Sequence, residues 1–150
     1  MKIKVMGTLI IGITMLLSCS GKKITTAEDW VALCQSATSV EDVDKAFVKM
    51  SPDDILLIYE QLIFQIGHDD INSPLMTSKC KAVAYIQAGI YVHVASDSKR
   101  FSDGQRIKFS DLTNNEWKKI LPHIVTFLGD EYYEIYRNFT KLHKVNMPHV

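Results

Sequence analysis

The sequence predicts an all-α protein, a single small bundle of about five to six helices. Three observations favour this class. Apolar residues recur at spacings of three and four along most of the chain, which is the periodicity of helices with one buried face. Several of these runs begin with a serine or threonine followed by acidic residues, the usual start of a helix. The 150 residues, 47% apolar and 23% charged, have the length and composition of one globular domain.

Three helix starts are predicted in the first part of the domain. Residues 25–28 have the S/T-x-x-E pattern of a capping box, in which two side chains satisfy free backbone amides. Ser39 begins a second, short helix, and Ser51 begins a third with proline at its first position. The third helix covers residues 55–66 and should end at Gly67. Because it is apolar on almost all sides, we expect it to be the central helix.

A long helix and a polar connection are predicted next. Ser73 starts the long helix, which continues to about Ala95 and includes Gly89. A glycine there is unfavourable for the helix but allows another helix to approach closely. The polar segment 96–110 follows, and its alternation of charged and apolar residues allows a short hairpin near 99–109.

The last third of the domain is predicted to be helical again. A capping box at 113–116 begins the next helix, and Pro122 should kink it or end its first part. The following Gly129 should break the chain before a last helix. The helical domain covers residues 26–145, and a flexible tail covers 146–150.

The N-terminus has the features of an export signal. Lys2 and Lys4 provide positive charge, and Val5–Leu17 is an uncharged stretch shorter than the roughly 20 residues of a transmembrane helix. The stretch ends in Leu16-Leu17-Ser18-Cys19, which resembles the lipobox of bacterial lipoproteins. The resemblance implies cleavage before Cys19, a diacylglyceryl group on its thiol, and usually a further acyl chain such as palmitate on the new amino terminus.

The same residues also fit an ordinary secretory signal with a chance cysteine, or an uncleaved anchor. If the lipobox is used, residues 1–18 are a signal peptide and 19–25 are a short tether. At about 3.3 Å per residue, this tether keeps the domain within about 20 Å of the membrane. Ser20 stands where an aspartate would mark retention in the inner membrane. The resemblance therefore implies a lipid anchor at the outer membrane, facing the periplasm.

Two further cysteines, Cys34 and Cys80, lie on the apolar faces of two predicted helices. In an exported protein, two thiols that face one core can form a disulfide, which would close a loop of about 47 residues. The alternative is two buried free thiols that pack as small apolar groups. Cysteines this far apart do not provide the close ligand pairs that zinc sites use.

No stretch carries a specific catalytic signature, and we expect neither an enzymatic activity nor a cofactor. The cluster His68-Asp69-Asp70 is a weak candidate for a metal site, although a polar turn has the same composition. His93 and His143 lie on helices, where histidine is more often a core-boundary residue than a catalyst. The formal net charge is zero, and two lysines are lost with the signal, which argues against nucleic-acid binding.

Two groups of residues are candidates for a protein-binding surface. One is an aromatic group of the type that anchors interfaces, although at helical spacing most of it would pack in the core: Tyr132, Tyr133 and Tyr136. The first two are adjacent, so they cannot both face inward easily. The other group lies in the polar segment 96–110, since connections on rigid scaffolds often carry binding: Arg100, Phe101 and Arg106.

The leading interpretation is a non-enzymatic, protein-binding lipoprotein, and one form of it is an immunity protein against a periplasmic toxin. Residues 29–34, with Asp29-Trp30-Val31 and Cys34, resemble the first helix of type VI secretion amidase-immunity proteins. The second interpretation is a carrier of a small molecule or lipid, with an apolar cavity against helix 55–66. The third is a small hydrolase that uses His68 or His93. A buried histidine within about 3 Å of a carboxylate, inside a cleft, would support it.

Overall fold

The structure of the protein is a computed structural model that describes residues 23–97 and 99–148. This part of the chain forms six α-helices and contains no strand, which confirms the prediction of a small all-α bundle. The helices are α1 (Ala27–Ser36), α2 (Val40–Lys49), α3 (Pro52–His68), α4 (Met76–Ser96), α5 (Asp103–Leu128) and α6 (Glu131–His143). The lipobox, with Cys19, lies outside the described residues. None of the described helices combines the length and the hydropathy that crossing a membrane requires.

The first three helices begin at caps that the sequence indicates. The side chains of Thr26, Ser39 and Ser51 accept hydrogen bonds from the backbone N–H groups three residues later, at 3.1, 3.3 and 3.1 Å. Each bond satisfies one of the N–H groups that the start of a helix leaves without a helical partner. At its other end, α3 continues to His68, one residue beyond the stop predicted at Gly67.

The central helix of the bundle is α4, and the prediction that helix 55–66 is central is wrong. α4 contacts all five other helices. Its buried residues include alanines and a glycine, at positions 82, 84, 88 and 89, so neighbouring helices can approach it from several sides. In contrast, α3 leaves Leu57 and Phe64 exposed, so its apolar residues do not all face the core.

The directions of α4 and α6 decide which residues meet at the end of the bundle. Lys81 pairs with Glu131 at 2.9 Å near the beginning of both helices, and the rings of His93 and His143 lie 4.6 Å apart near their ends, so α4 and α6 run parallel. Their last turns carry His93 and His143, respectively. Both histidines therefore lie at the same end of the bundle.

The hairpin expected near 99–109 is wrong, because most of that segment is the first part of α5. Ser102 and Gln105 form a capping box there. The Gln105 N–H donates to Ser102 Oγ at 3.2 Å, and the Ser102 N–H donates to Gln105 Oε1 at 2.9 Å. Charged and apolar residues alternate here as they would in a strand, but they lie in a helix. Phe109 packs against α3, while Ile107 faces solvent.

The helix start predicted at Thr113 is also wrong, since this residue lies inside α5. Its hydroxyl donates to the backbone oxygen of Phe109, one turn earlier, at 2.9 Å. α5 continues through Pro122, which removes one N–H from the helix without ending it. The break predicted at Gly129 is confirmed, and its φ of 53° is a conformation that residues with a side chain rarely adopt.

Cys34 and Cys80 are free, buried thiols, so the structure has the second of the two alternatives and no disulfide between them. Burial raises the pKa of both thiols, that of Cys80 to about 12. A thiol that keeps its proton is a poor nucleophile and a poor metal ligand. Both cysteines therefore act as small apolar side chains of the core.

Part of the segment assigned to a flexible tail lies against the bundle. The Val145 N–H donates to the backbone oxygen of Thr140 at 3.0 Å, and the Tyr91 hydroxyl donates to that of Asn146 at 2.7 Å. These two contacts attach the chain that follows α6 to α6 itself and to α4.

Candidate functional site

Three ionisable side chains from three different helices meet at one end of the bundle. Asp44 of α2 lies against His93 of α4 and His143 of α6. Its Oδ1 is 2.8 Å from His93 Nε2 and 3.0 Å from His143 Nε2. The two imidazole rings meet edge to face, with their centroids 4.6 Å apart. We call Asp44, His93 and His143 the Asp–His–His cluster.

A close crossing of α2 and α4 positions this cluster. A Cβ atom on Gly89 would lie 2.7 Å from the ring of Phe47, so this crossing requires glycine. The same ring stacks on His93, with centroids 5.2 Å apart and planes 15° apart. Asp44 precedes Phe47 by three residues and therefore lies on the same face of α2. The close crossing of α2 over α4 at Gly89 thus brings Asp44 next to His93. A close helix approach at Gly89 is what the sequence predicts.

The cluster is mostly shielded from water. The side chains of Asp44, His93 and His143 are 16, 11 and 18% exposed. Burial opposes ionisation of Asp44, but the hydrogen bond with His93 and the neighbouring His143 outweigh it and hold the pKa of the carboxyl below its usual value. Asp44 is therefore ionised at neutral pH, and the cluster contains a fixed negative charge.

One nitrogen of the cluster lacks a hydrogen bond. His143 Nε2 is buried, and although it lies 3.0 Å from Asp44 Oδ1, the contact does not have the geometry of a hydrogen bond. Buried polar atoms in folded proteins nearly always have such a partner. His143 Nε2 therefore contacts Asp44 Oδ1 without a well-aligned hydrogen bond.

The composition of the cluster matches a set of metal ligands. One carboxylate oxygen and two imidazole nitrogens lie within 4.8 Å of one another. His93 and Asp44 also meet the distance set above for a hydrolase pair. However, the third group at Asp44 is a second imidazole, and not the hydroxyl or thiol that a nucleophilic triad needs. The arrangement fits cation binding better than nucleophilic catalysis.

The other metal candidate, His68-Asp69-Asp70, has separate local partners. His68 Nδ1 lies 2.9 Å from the backbone oxygen of Phe64, and its ring stacks on the Phe64 ring. Asp69 pairs with Lys79 at 2.7 Å, and Asp70 accepts the backbone N–H two residues later at 2.9 Å. These contacts are those of a polar helix end and turn.

The predicted tyrosine surface is divided between the core and the solvent. Tyr133 is exposed, whereas Tyr132 and Tyr136 are half-buried, with their ring centroids 5.4 Å apart. Burial raises the pKa of Tyr132 to about 12 and also raises that of Tyr136. Of the three rings, Tyr133 is the one that offers a large exposed surface.

Tyr132 belongs to a buried chain of neutral polar groups that the sequence analysis missed. Its hydroxyl donates to Gln87 Oε1 at 2.6 Å, and Gln87 Nε2 donates to the Tyr59 hydroxyl at 3.0 Å. The Tyr59 hydroxyl lies 2.6 Å from Thr113 Oγ1. We call Thr113, Tyr59, Gln87 and Tyr132 the neutral chain. It joins α5, α3, α4 and α6, and each of its groups has a partner.

The predicted surface at 100–106 is only partly available. Phe101 is buried and packs near Phe47, with ring centroids 6.4 Å apart, which corrects its assignment to a contact surface. Arg100 Nη2 donates to the backbone oxygen of Met50 at 3.0 Å, at the end of α2, where a cation complements the helix dipole. Arg106 is partly exposed and lines a surface depression of about 470 Å³.

The outer face of α5 carries exposed apolar residues. Ile107, Leu121 and Val125 are 61, 38 and 62% exposed. At 3.6 residues per turn, these three lie within about 40° of one another around the helix axis. We call them the α5 stripe. The depression lies at the beginning of this stripe and is lined by Asp103, Arg106, Ile107, Ser110 and Asp111.

The Asp–His–His cluster was not predicted from the sequence. From the sequence, His93 and His143 are expected at the core boundary, and nothing marks Asp44 as a site residue. The three residues are about 50 positions apart, so only the packing of α2, α4 and α6 brings them together. The one local signal is Gly89, which marks a close crossing one turn before His93 but does not indicate which helix crosses.

Comparison of the chain with known protein families, with curated proteins and with solved structures found no match.

Proposed function

We propose that the chain is a lipid-anchored bacterial lipoprotein of the cell envelope whose helical domain binds a protein partner through the α5 stripe. The lipid is attached to Cys19 and holds the domain at the outer membrane, on the periplasmic side. The function is binding and not catalysis. An immunity protein that blocks a toxin in the periplasm is one form of it.

The α5 stripe is the observation that carries the binding proposal. Single exposed apolar side chains are common on soluble proteins and need no explanation. Three of them lie on one side of one helix. Leu121 and Val125 are one turn apart, and Ile107 lies about 21 Å from Leu121 along the same face, with exposed polar residues between them. Arg106, paired with Asp103, provides charged groups beside Ile107. An apolar centre with a polar margin is the usual composition of a protein interface.

The length of the tether limits where the partner can lie. Residues 19–25 reach at most about 20 Å from the lipid. The domain that carries the α5 stripe therefore begins close to the membrane surface. A partner that is itself at the outer membrane, or that passes through the periplasm, is within reach of this domain.

Site-specific photocrosslinking in intact cells tests the binding proposal. The full chain would carry a photoreactive amino acid at Ile107, Leu121 or Val125, with Asn138 on the exposed face of α6 as the matched control. We expect the three stripe positions to crosslink to the same protein and the control position to give none of that product. Without a common product, or with equal product from Asn138, the proposed surface is wrong.

Mass spectrometry of the protein from membranes tests the anchor separately. We expect a mature N-terminus at Cys19 that carries diacylglyceryl and acyl mass. Cys19→Ala should leave the precursor uncleaved and without lipid. An unmodified cysteine, or a mature N-terminus elsewhere, would exclude lipidation and leave the crosslinking result to be judged by itself.

A further inference from the structure

We propose that the Asp–His–His cluster binds one divalent transition-metal ion, for which zinc is the probe of choice. The ligands are Asp44 Oδ1 and the Nε2 atoms of His93 and His143. This inference concerns the end of the bundle formed by α2, α4 and α6. It does not depend on the α5 stripe or on the lipid anchor.

The separations of the ligand atoms support this assignment. Zinc lies about 2.0–2.2 Å from histidine nitrogen and carboxylate oxygen, so two ligands of one tetrahedral ion lie about 3.3–3.6 Å apart. Asp44 Oδ1 is 2.8 and 3.0 Å from the two Nε2 atoms. To hold an ion between them, Asp44 Oδ1 and the two nitrogens would move apart by about 0.3–0.8 Å.

The chemistry of the ligands also fits a transition-metal ion. Imidazole nitrogen with one carboxylate suits zinc, copper, nickel or iron, whereas calcium and magnesium require a set made mainly of oxygen atoms. Three protein ligands leave a fourth tetrahedral position for water or for a group from another molecule. Asp44 is mostly buried and places a carboxylate oxygen beside both nitrogens, so the site has an acidic oxygen ligand to balance the charge of a cation.

The missing hydrogen bond at His143 Nε2 distinguishes a metal site from an ion triad that only stabilises the fold. In a structural triad, both imidazoles would donate to the carboxylate. His93 has that geometry with Asp44 Oδ1, but His143 Nε2 is buried without a hydrogen bond. A metal ion accepts the electron pair of this nitrogen when the ring carries its proton on Nδ1. The ion thus gives His143 Nε2 a partner. It also replaces the His93–Asp44 hydrogen bond, because a ligating His93 Nε2 carries no proton and the ring keeps its proton on Nδ1.

The surrounding structure holds the ligands in position. His93 is fixed by stacking on Phe47, whose ring fills the space that Gly89 leaves. His143 ends α6, and the chain that follows is attached to α4 through Asn146. Each ligand therefore belongs to a packed helix, and geometry that is set in advance favours binding.

Zinc titration of the full chain tests the proposal. The protein would be purified in detergent with a tag that contains no histidine, stripped of metal with EDTA, and titrated with Zn²⁺ by calorimetry. We expect one ion per chain and a rise in Tm when zinc is added. Co²⁺ in place of zinc should give the visible absorption of a tetrahedral complex with nitrogen and oxygen ligands.

Variants identify the ligands. Asp44→Asn and His143→Gln should each weaken zinc binding by more than about tenfold, while circular dichroism stays that of a helical protein. A matched control removes two histidines elsewhere, the exposed His68 and the partly exposed His123, as His68→Gln with His123→Gln, and should bind as the wild type does. No zinc binding, unchanged binding in both ligand variants, or loss of binding in the control would overturn the assignment. If a variant fails to fold, the cobalt spectrum of the wild type still shows whether a tetrahedral site with nitrogen and oxygen ligands is present.

Discussion

The neutral chain and the Asp–His–His cluster lie less than two turns apart on α4, at Gln87 and His93, and they differ in almost every respect. The neutral chain is in the middle of the bundle and consists of hydroxyl and amide groups that all have partners. The Asp–His–His cluster is at the end of the bundle and contains an ionised carboxylate beside a nitrogen that has no hydrogen bond.

The comparison shows that two kinds of buried polar group serve different purposes in one small bundle. A satisfied, neutral network costs little to bury and fixes the register of the helices around it. A charged cluster with an incomplete set of bonds contributes less to stability and is suited to taking up a ligand. We therefore expect changes at Gln87 to affect unfolding, and changes at Asp44 to affect mainly binding.

The largest expected effect is that of Gln87→Leu. The leucine has a similar size but leaves the buried Tyr132 hydroxyl without an acceptor, so the free energy of unfolding should fall by about 2–3 kcal/mol. Urea denaturation measures it, with Gln61→Leu at an exposed position of α3 as the control. Zinc affinity should stay unchanged. A loss of zinc binding in Gln87→Leu would mean that the neutral chain and the Asp–His–His cluster are not independent.

A smaller loss is expected for Gly89→Ala. Alanine improves helix propensity by about 1 kcal/mol, but its Cβ would overlap the Phe47 ring, and overpacking costs about 1–3 kcal/mol. Because the ring is held between Trp30, His93 and Phe101, it cannot move freely, and we expect a net loss of about 1–2 kcal/mol in thermal or urea unfolding.

Gly104→Ala is the matched control for this substitution. Nothing lies within 4 Å of a Cβ atom at Gly104, in the first turn of α5, so this change should stabilise the protein slightly. If both substitutions stabilise the protein, the crossing of α2 and α4 is looser than described, and Phe47 does not position His93.

The third effect depends on pH. The pKa of Asp44 is lower in the folded protein than its usual value of about 3.9, so its ionised form stabilises the fold above that pH. This contribution is lost as the pH falls through the lowered pKa. In EDTA, Asp44→Asn should therefore be less stable than the wild type by about 1 kcal/mol at pH 7.

The same difference should shrink as the pH falls below about 4 and vanish once the pH is below the lowered pKa of Asp44, since asparagine does not titrate. Urea denaturation at pH 7 and pH 3 measures the decrease. A difference that is the same at both pH values would show that the carboxylate charge does not contribute, and that the variant acts only through packing.

The smallest effect on stability is expected on the α5 stripe, outside the neutral chain and the Asp–His–His cluster. Val125→Ser on the α5 stripe removes an exposed side chain, so the free energy of unfolding should change by no more than about 0.5 kcal/mol. Crosslinking from Ile107 to the partner should nevertheless be lost. Destabilisation comparable to that of Gln87→Leu would mean that Val125 packs in the folded chain and is not a contact residue.

The fold was largely predictable because its helices carry local start signals. Ser39 and Ser51 cap their helices as expected, and Gly129 ends α5. The hairpin was wrong because charged and apolar residues alternate over four positions in a helix as easily as in a strand, and the capping box at Ser102 was not recognised. The choice of central helix was wrong because the small residues of α4 matter more for close packing than the large apolar residues of α3.

The candidate site was not predictable, for a physical reason. Asp44, His93 and His143 have no spacing in common, and each one by itself is an ordinary surface or boundary residue. Their contact results from the parallel direction of α4 and α6 and from the close crossing at Gly89, which are properties of the packed bundle. Gln87 was missed for a related reason, since its hydrogen-bond partners come from other helices.

Anomalous diffraction at the zinc absorption edge, from crystals grown with Zn²⁺, tests the central claim most directly. We predict one strong peak at the end of the bundle, about 2.0–2.2 Å from Asp44 Oδ1 and from the Nε2 atoms of His93 and His143. A map with no peak there, or with zinc only at histidines outside the cluster such as His68 and His123, would contradict it.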